Sequence, residues 1–228
     1  MTRDDADAGP GCPATDQSRR ALLDAATEVL AEQGFSRTTR EQICARAGLP
    51  TQEFDARFDS VGRCYAALLD EFAAAIRDRV STTALRKADR PFGERGPAIV
   101  AAFVHAIAED PRLLRLAFTE VAQVPSVVRR QRRVHRRWAA AFLDTQWPAE
   151  PGVGERTSRR RFAVAMATIG GVFELVADWS RHHGGIGGDS AQAEDDAWAA
   201  QALIDDLTEF VGVVYAGRVA ARRASVTE

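Results

Sequence analysis

Apolar residues recur at every third or fourth position along most of this chain, and nowhere do they alternate with polar ones as a half-buried strand requires. Val61, Cys64, Tyr65, Leu68, Phe72, Ile76 and Val80 form the longest such stripe. The expected fold class is therefore all-α. A helix over about 61–85, capped by Ser60, is too long for one small core and is expected to link two domains. With 228 residues, 46% of them hydrophobic, the chain has the material for both cores. Charged residues make up 27% and the net charge is −2, values of a soluble globular protein. No uninterrupted apolar run reaches the roughly 18 residues of a membrane span, so no membrane partner is expected. The acidic, polar start of the chain lacks the apolar stretch of a signal peptide, and a cytoplasmic protein is expected.

The stretch 38–58, TTREQICARAGLPTQEFDARF, reads as two short helices around a tight turn. Thr38 with Glu41 has the pattern of a capping box. Ile43, Cys44 and Ala47 follow at helical spacing, Gly48 suits a left-handed C-cap, and Pro50 suits the entry to the next helix. Phe54 and Phe58, one turn apart, are expected to face inward, and Thr51, Gln52, Glu53, Asp55, Ala56 and Arg57 outward. On these residues alone the stretch is either a small helical hairpin or a helix-turn-helix. Bulk charge argues against DNA binding, which needs a basic face. Between Asp16 and Cys64 seven arginines (19, 20, 37, 40, 46, 57, 63) stand against eight acids (16, 24, 28, 32, 41, 53, 55, 59).

Residues 1–15, rich in Asp, Gly and Pro, are expected to form a disordered tail. Helix 1, about 18–33, carries Leu22, Ala26, Val29 and Leu30 on one side. Pro91, Gly93, Gly96 and Pro97 predict a break, followed by helices over about 98–109, from Pro111, and over 126–146. On the last of these, Arg129, Arg130, Arg132, Arg133, Arg136 and Arg137 occupy one half of the helical wheel. Val127, Val128, Gln131, Val134, His135, Trp138 and Phe142 occupy the other. The arginine run is read first as a solvated face and second as an anion-binding surface. A helix over 155–181 is apolar almost all round between Phe162 and Ala177, as one buried on two sides must be. Gly170-Gly171 within it suits the close approach of another helix. A last helix spans about 191–222, before a tail at 223–228.

From Arg20 to Phe72 the chain resembles the DNA-binding domain of the tetracycline-repressor-like (TetR) family. Ala25-Ala26, Glu32-Gln33-Gly34-Phe35, Thr38-Thr39, Ile43, Arg46-Ala47-Gly48-Leu49, Phe54, Phe58 and Ser60 carry the resemblance, dispersed and in order. Gly171-Val172-Phe173-Glu174-Leu175 with Trp179 is similar, more loosely, to that family's helix 8. The resemblance implies a helix-turn-helix domain over 16–62 and a regulatory and dimerisation domain over 63–222. It further implies a homodimer through the last two helices, a double-stranded DNA operator, and a small hydrophobic effector that releases a repressor from it. No cofactor is expected.

Carried over by position, Thr39, Thr51, Gln52, Glu53, Asp55, Ala56 and Arg57 are expected to face DNA, with Arg37, Thr38, Arg40 and Arg63 reaching the backbone. Gln52 suits adenine, and Arg57 guanine or phosphate. The chain departs from the family pattern at Asp55 (usually tyrosine), Arg57 (often histidine), Val61 (commonly lysine) and Arg40 (valine-like). Asp55 would repel phosphate and Val61 removes a cation, with Arg40, Arg57 and Arg63 as the offset. The expected ligand-facing set is Phe103, Phe118, Gln131, His135, Trp138, Phe142, Met166 and Phe173, a largely apolar pocket with a few orienting groups. Gln131 and His135, one turn apart, read equally well as satisfied core polars. Dimer contacts are expected from Ile169, Glu174, Leu203, Leu207, Phe210 and Val214, with Glu174 also open to a role as ligand partner.

Cys12, Cys44 and Cys64 show neither disulfide-framework nor zinc spacing, and the latter two are expected in a core. His182 and His183 point about 100° apart on a helix, and no carboxylate pattern supports a metal there. No G-x-S-x-G, H-E-x-x-H, P-loop or dinucleotide fingerprint is present, so an enzyme is not expected. The alternative is a dimeric small-molecule-binding protein on the same scaffold with weakened or lost DNA binding, motivated by the acidic balance, Asp55 and Val61.

Overall fold

The computed structural model describes residues 13–118, 124–147, 155–183 and 190–226. Every regular element among them is helical: α1 (Pro13–Gln33), a 3-10 turn (Phe35–Arg37), α2 (Arg40–Ala47), α3 (Thr51–Asp55), α4 (Val61–Arg86), α5 (Phe92–Ala108), α6 (Pro111–Phe118), α7 (Ser126–Gln146), α8 (Glu155–His183) and α9 (Ser190–Val226). The chain divides into two compact units, Met1–Leu68 and Leu69–Glu228. Helix α4 begins in the first and continues into the second, as its long apolar stripe requires.

In the first unit, α1 packs on α2 and α3. Leu22, Leu23, Ala26, Val29 and Leu30 meet Ile43, Cys44, Phe54, Phe58, Cys64 and Tyr65 in a core from which water is excluded. Each large apolar side chain buried there contributes about 1.5–3 kcal/mol. Phe54 and Phe58 touch at 5.4 Å between ring centroids, and Phe35 stacks on Tyr65 at 6.3 Å. Helix α1 starts at Pro13, not near Ser18, since proline costs nothing in a first turn. The expected tail is thereby shortened, and residues 1–12, Cys12 among them, lie outside the described set.

The capping box sits one residue later than the sequence suggests. Thr39 accepts from the Gln42 backbone N–H, and Gln42 Oε1 accepts from the Thr39 backbone N–H at 2.9 Å. Thr38, by contrast, is 9% exposed and donates its hydroxyl to the Gly34 carbonyl at 2.8 Å. Gly48 ends α2 at φ +66°, ψ 28°, and Leu49 N–H then reaches back to the Cys44 carbonyl at 3.0 Å. A side chain at Gly48 would strain this left-handed turn.

In the second unit, α7 packs on α8, α5 on α9, α6 on α8, and α8 on α9. The core joins Val104 and Ile107 (α5), Leu114 and Phe118 (α6), Ala140 and Leu143 (α7), Val172 and Val176 (α8), and Leu203, Leu207 and Val211 (α9). Helix α5 starts at Phe92 with Pro91 as N-cap, so the expected break at 90–97 ends much earlier. Pro97 is the sixth residue of α5, inside the helix, so the usual bond from its N–H to the Gly93 carbonyl is absent. Helix α6 is capped by Asp110, whose Oδ1 accepts from Arg112 N–H at 2.9 Å. Burial works to raise the pKa of that carboxyl, but the hydrogen bonds from the Arg112 side chain and backbone outweigh it and lower it.

Ser158–His182 within α8 has the length and mean hydropathy (1.5) that a membrane-crossing helix needs, although no uninterrupted apolar run of 18 residues occurs in it. The core helix of a globular protein meets the same test, and α8 touches α6, α7 and α9. The expected helix-6 residue Val121, the loop at 148–154, most of the loop after His183 and the last two residues lie outside the described set.

Candidate functional site

In the first unit the turn at Gly48 presents α3 after α2. Five of the eight acids there are consumed internally. Asp55 takes Arg40 in two hydrogen bonds at 2.8 and 3.0 Å, and Glu41 takes the same guanidinium at 2.8 Å. Arg46 bridges Glu28 at 2.7 Å and Glu32 at 2.9 Å. Arg57 binds Glu53 at 2.7 Å and is only 13% exposed. These pairings raise the Arg40 and Arg46 pKa values, and the hydrogen bond from Arg46 lowers that of Glu32. Arg37 and Arg63 are exposed and have no acid partner among the described residues. The bulk count therefore understates the positive character of what is left.

The outward face differs from expectation in three ways. Thr38 is buried and spent on Gly34, so it does not reach outward. Arg57 folds back on α3 instead of pointing out, because Glu53 lies four residues before it. Asp55 is not a bare charge, since Arg40 neutralises it, and for the same reason Arg40 is not a spare cation. Arg37, Thr39, Gln52, Ala56 and Arg63 are exposed, and Thr51 and Glu53 half-buried. Helix α3 is shorter than expected, its regular turns ending at Asp55.

The second unit holds a cavity of about 160 Å3. Of the residues expected to face a ligand, Phe103, Phe118, His135, Trp138, Phe142 and Phe173 line it. Phe118 touches Phe173 at 4.8 Å, and Trp138 stacks on Phe142 at 5.3 Å. Gln131 and Met166 do not line it. Met166 is packed against the core. Gln131 Nε2 donates to Asp70 Oδ1, and His135 Nε2 lies 2.8 Å from the same oxygen. The pair thus splits between its two readings: Gln131 is a satisfied core polar, while His135 belongs to the cavity wall and is tied to α4 through Asp70.

Two residues expected at a dimer contact, Ile169 and Leu207, line this cavity instead. Leu203 is 3% and Leu207 1% exposed within the single chain, so neither is available to a partner. Both turn inward because α9 packs across α5 and α8. Phe210 is half-buried over Gly171, Val214 is half-buried, and Glu174 is exposed. Ala163, Ala167, Gly170 and Glu174 of α8, and Gly212, Val213, Ala216 and Gly217 of α9, are exposed.

Sequence reasoning missed Phe72, Ile76, Arg77, Phe92, Val100 and Arg132 of the lining. The α4 stripe already held Phe72 and Ile76, but nothing in it told which side of a long helix meets a cavity. Val134, expected on the apolar side of α7, is 51% exposed. Arg132, expected on its solvated side, lines the cavity and binds the Leu116 carbonyl. Arg136 and Arg137 lie over the rings of Phe173 and Phe162 at 5.0 and 5.4 Å. Among the described residues no cluster of His, Cys, Asp and Glu is arranged to hold a metal.

Comparison with known proteins gives a family match within the first unit and a likeness of fold over most of the chain. Residues 22–60 match the family model for bacterial regulatory proteins of the tetR family. No curated protein matches the sequence. Among solved structures, a putative TetR-family transcriptional regulator from Syntrophomonas wolfei superposes with a TM-score of 0.65 at 14% identity, covering 88% of this chain and 96% of that one. The regulator FadR of Bacillus subtilis in complex with stearoyl-CoA gives 0.60 at 17% identity, over 84% and 96%. NalD of Pseudomonas aeruginosa, the secondary repressor of the MexAB-OprM multidrug efflux pump, gives 0.60 at 16% identity, over 86% and 97%.

Proposed function

We propose, for a chain with a TetR-type helix-turn-helix and the all-helical fold of TetR-like regulators, that it is a DNA-binding transcriptional repressor released from its operator by a small apolar ligand. The observation that carries this reading is the pairing of an α2–Gly48–α3 turn with a separate, aromatic-lined cavity, one helix, α4, being common to both units. Thr39, Thr51, Gln52 and Ala56 would face bases or sugar, and Arg37 and Arg63 phosphate. Glu53, Asp55, Arg40 and Arg57 would act mainly by holding one another in place.

Two copies are needed to read a two-fold operator with half-sites about 34–36 Å apart. The exposed small residues of α8 and α9 support a homodimer through the last two helices, since they let helices approach closely. Glu174 would lie in that contact, with Phe210 and Val214 at its margin. The ligand need only bind the form of the dimer that fits DNA less well. The stearoyl-CoA held by the B. subtilis relative suggests an effector of acyl type, and the site of action would be the cytoplasm.

The test is fluorescence anisotropy with duplex DNA flanking the protein's own gene. Binding to an inverted repeat there, falling steeply with salt, is expected. Equal affinity for random duplex would contradict the reading. Ala167→Glu should yield monomers in sedimentation analysis and lose operator binding. A second reading, a ligand-binding dimer without specific DNA affinity, draws on the internal pairing of Arg40 and Arg57. It predicts ligand binding with no operator preference at any salt.

A further inference from the structure

The cavity of the second unit is apolar except for four lining residues: Arg77, Arg132, His135 and Gln146. Three of the four carry or can accept positive charge, and no Asp or Glu lines the cavity. Asp70, which holds His135, is not a lining residue and is already engaged by His135 and Gln131. Arg77 lies with its guanidinium 5.7 Å from the centre of the Trp138 ring and has no acid partner among the described residues. Arg132 is fixed on the Leu116 carbonyl.

Positive charge in an apolar wall is felt far more strongly than in water, because little solvent screens it. A ligand bringing one negative charge would gain a charge-assisted hydrogen bond there, and one bringing a positive charge would be repelled. The volume of about 160 Å3 sets the size. At roughly 10–15 Å3 for each water-sized group, the cavity takes on the order of ten such groups.

Resting on the reading of this cavity as the effector site, we propose that it selects an apolar chain ending in an anionic head. The head is held by Arg77, with Arg132 adding to the field. The tail lies among Phe103, Phe118, Phe142 and Phe173. The anion is the shared chemistry of a free carboxylic acid and of an acyl thioester with a phosphate-bearing carrier, and the test separates the two.

Isothermal titration of the full-length protein with decanoate, 1-decanol, decyltrimethylammonium and decanoyl-coenzyme A tests this. Decanoate, or the thioester if the carrier supplies the anion, is expected to bind about tenfold or more tighter than decanol, as one charged hydrogen bond allows. The ammonium is expected to bind worst. Arg77→Met should abolish the preference for decanoate over decanol, and Arg77→Lys should retain most of it. Equal affinities for decanoate, its thioester and decanol in the unaltered protein would overturn the inference and leave the apolar pocket standing. Failure of every probe would overturn both. Tight decanoate binding that leaves the protein–operator complex intact would sustain the inference and sink the regulatory reading alone.

Discussion

Gly171 of α8 lies directly beneath the ring of Phe210 of α9: a Cβ placed on Gly171 would stand 2.7 Å from Phe210 Cζ and 3.0 Å from Cε1. The glycine expected to admit a neighbouring helix thus admits one from its own chain. Gly171→Ala is expected to cost about 1–3 kcal/mol through forced repacking. Gly170→Ala meets nothing within 4 Å and is expected to leave the fold as stable or slightly more so. Urea unfolding of both variants separates them, and adding Phe210→Leu to Gly171→Ala should recover part of the loss.

Thr39 closes the first turn of α2 by reciprocal bonds with Gln42. Thr39→Ala should destabilise the first unit by about 1 kcal/mol, the usual worth of such a cap. Thermal unfolding followed by circular dichroism measures it.

Acid should weaken the first unit in a way that depends on Arg46. The hydrogen bond from Arg46 lowers the Glu32 pKa. A carboxylate with a depressed folded pKa adds stability above its unfolded value near 4.3, and that stability is lost as pH falls through the folded value. Stability is therefore expected to decline below about pH 4.5. Arg46→Met should flatten that part of the decline. The groups are well exposed, so the effect should also shrink in high salt.

Asp70 joins α4 to α7 by holding Gln131 and His135 at one carboxylate oxygen. Asp70→Ala leaves both half-buried groups without that acceptor and should cost about 1–3 kcal/mol. The loss is expected in urea unfolding at neutral pH, and Asp70→Asn should restore part of it.

Asp55 occupies Arg40 on the outward side of α2 and α3. On the regulator reading, Asp55→Ala removes an acid and leaves Arg40 paired with Glu41 alone. Operator affinity should rise, and the slope of log K against log salt should steepen by about 0.9 for each further phosphate neutralised. Anisotropy titrations across a salt series check it.

What could be read from the residues followed rules that act locally. Gly48, Phe54 and Phe58 were legible because a left-handed cap and a one-turn aromatic pair need only neighbours. The choice between Thr38 and Thr39 was not, since Thr38 precedes Glu41 and Thr39 precedes Gln42 with the same spacing; Gly34 decided it by accepting the Thr38 hydroxyl. The start of α5 was missed because Pro97 reads as a breaker, yet it stands inside the helix. Periodicity marked Ile169, Leu203 and Leu207 as apolar but carries no label for which neighbour covers them. Arg77 was not singled out, and Arg132 was placed on the solvated side, because a long cationic side chain lays its stem along apolar surface from either side of a helix.

The thiols of Cys44 and Cys64 belong to residues only 2% and 0% exposed, and burial pushes the Cys44 thiol up. No cysteine occurs after residue 64. With Cys12 replaced by serine, any reaction with a thiol reagent must wait for the first unit to open. The labelling rate is then a private clock for that unit, silent about everything beyond Leu68, and can report whether an effector bound far along the chain changes how often the reading head comes apart.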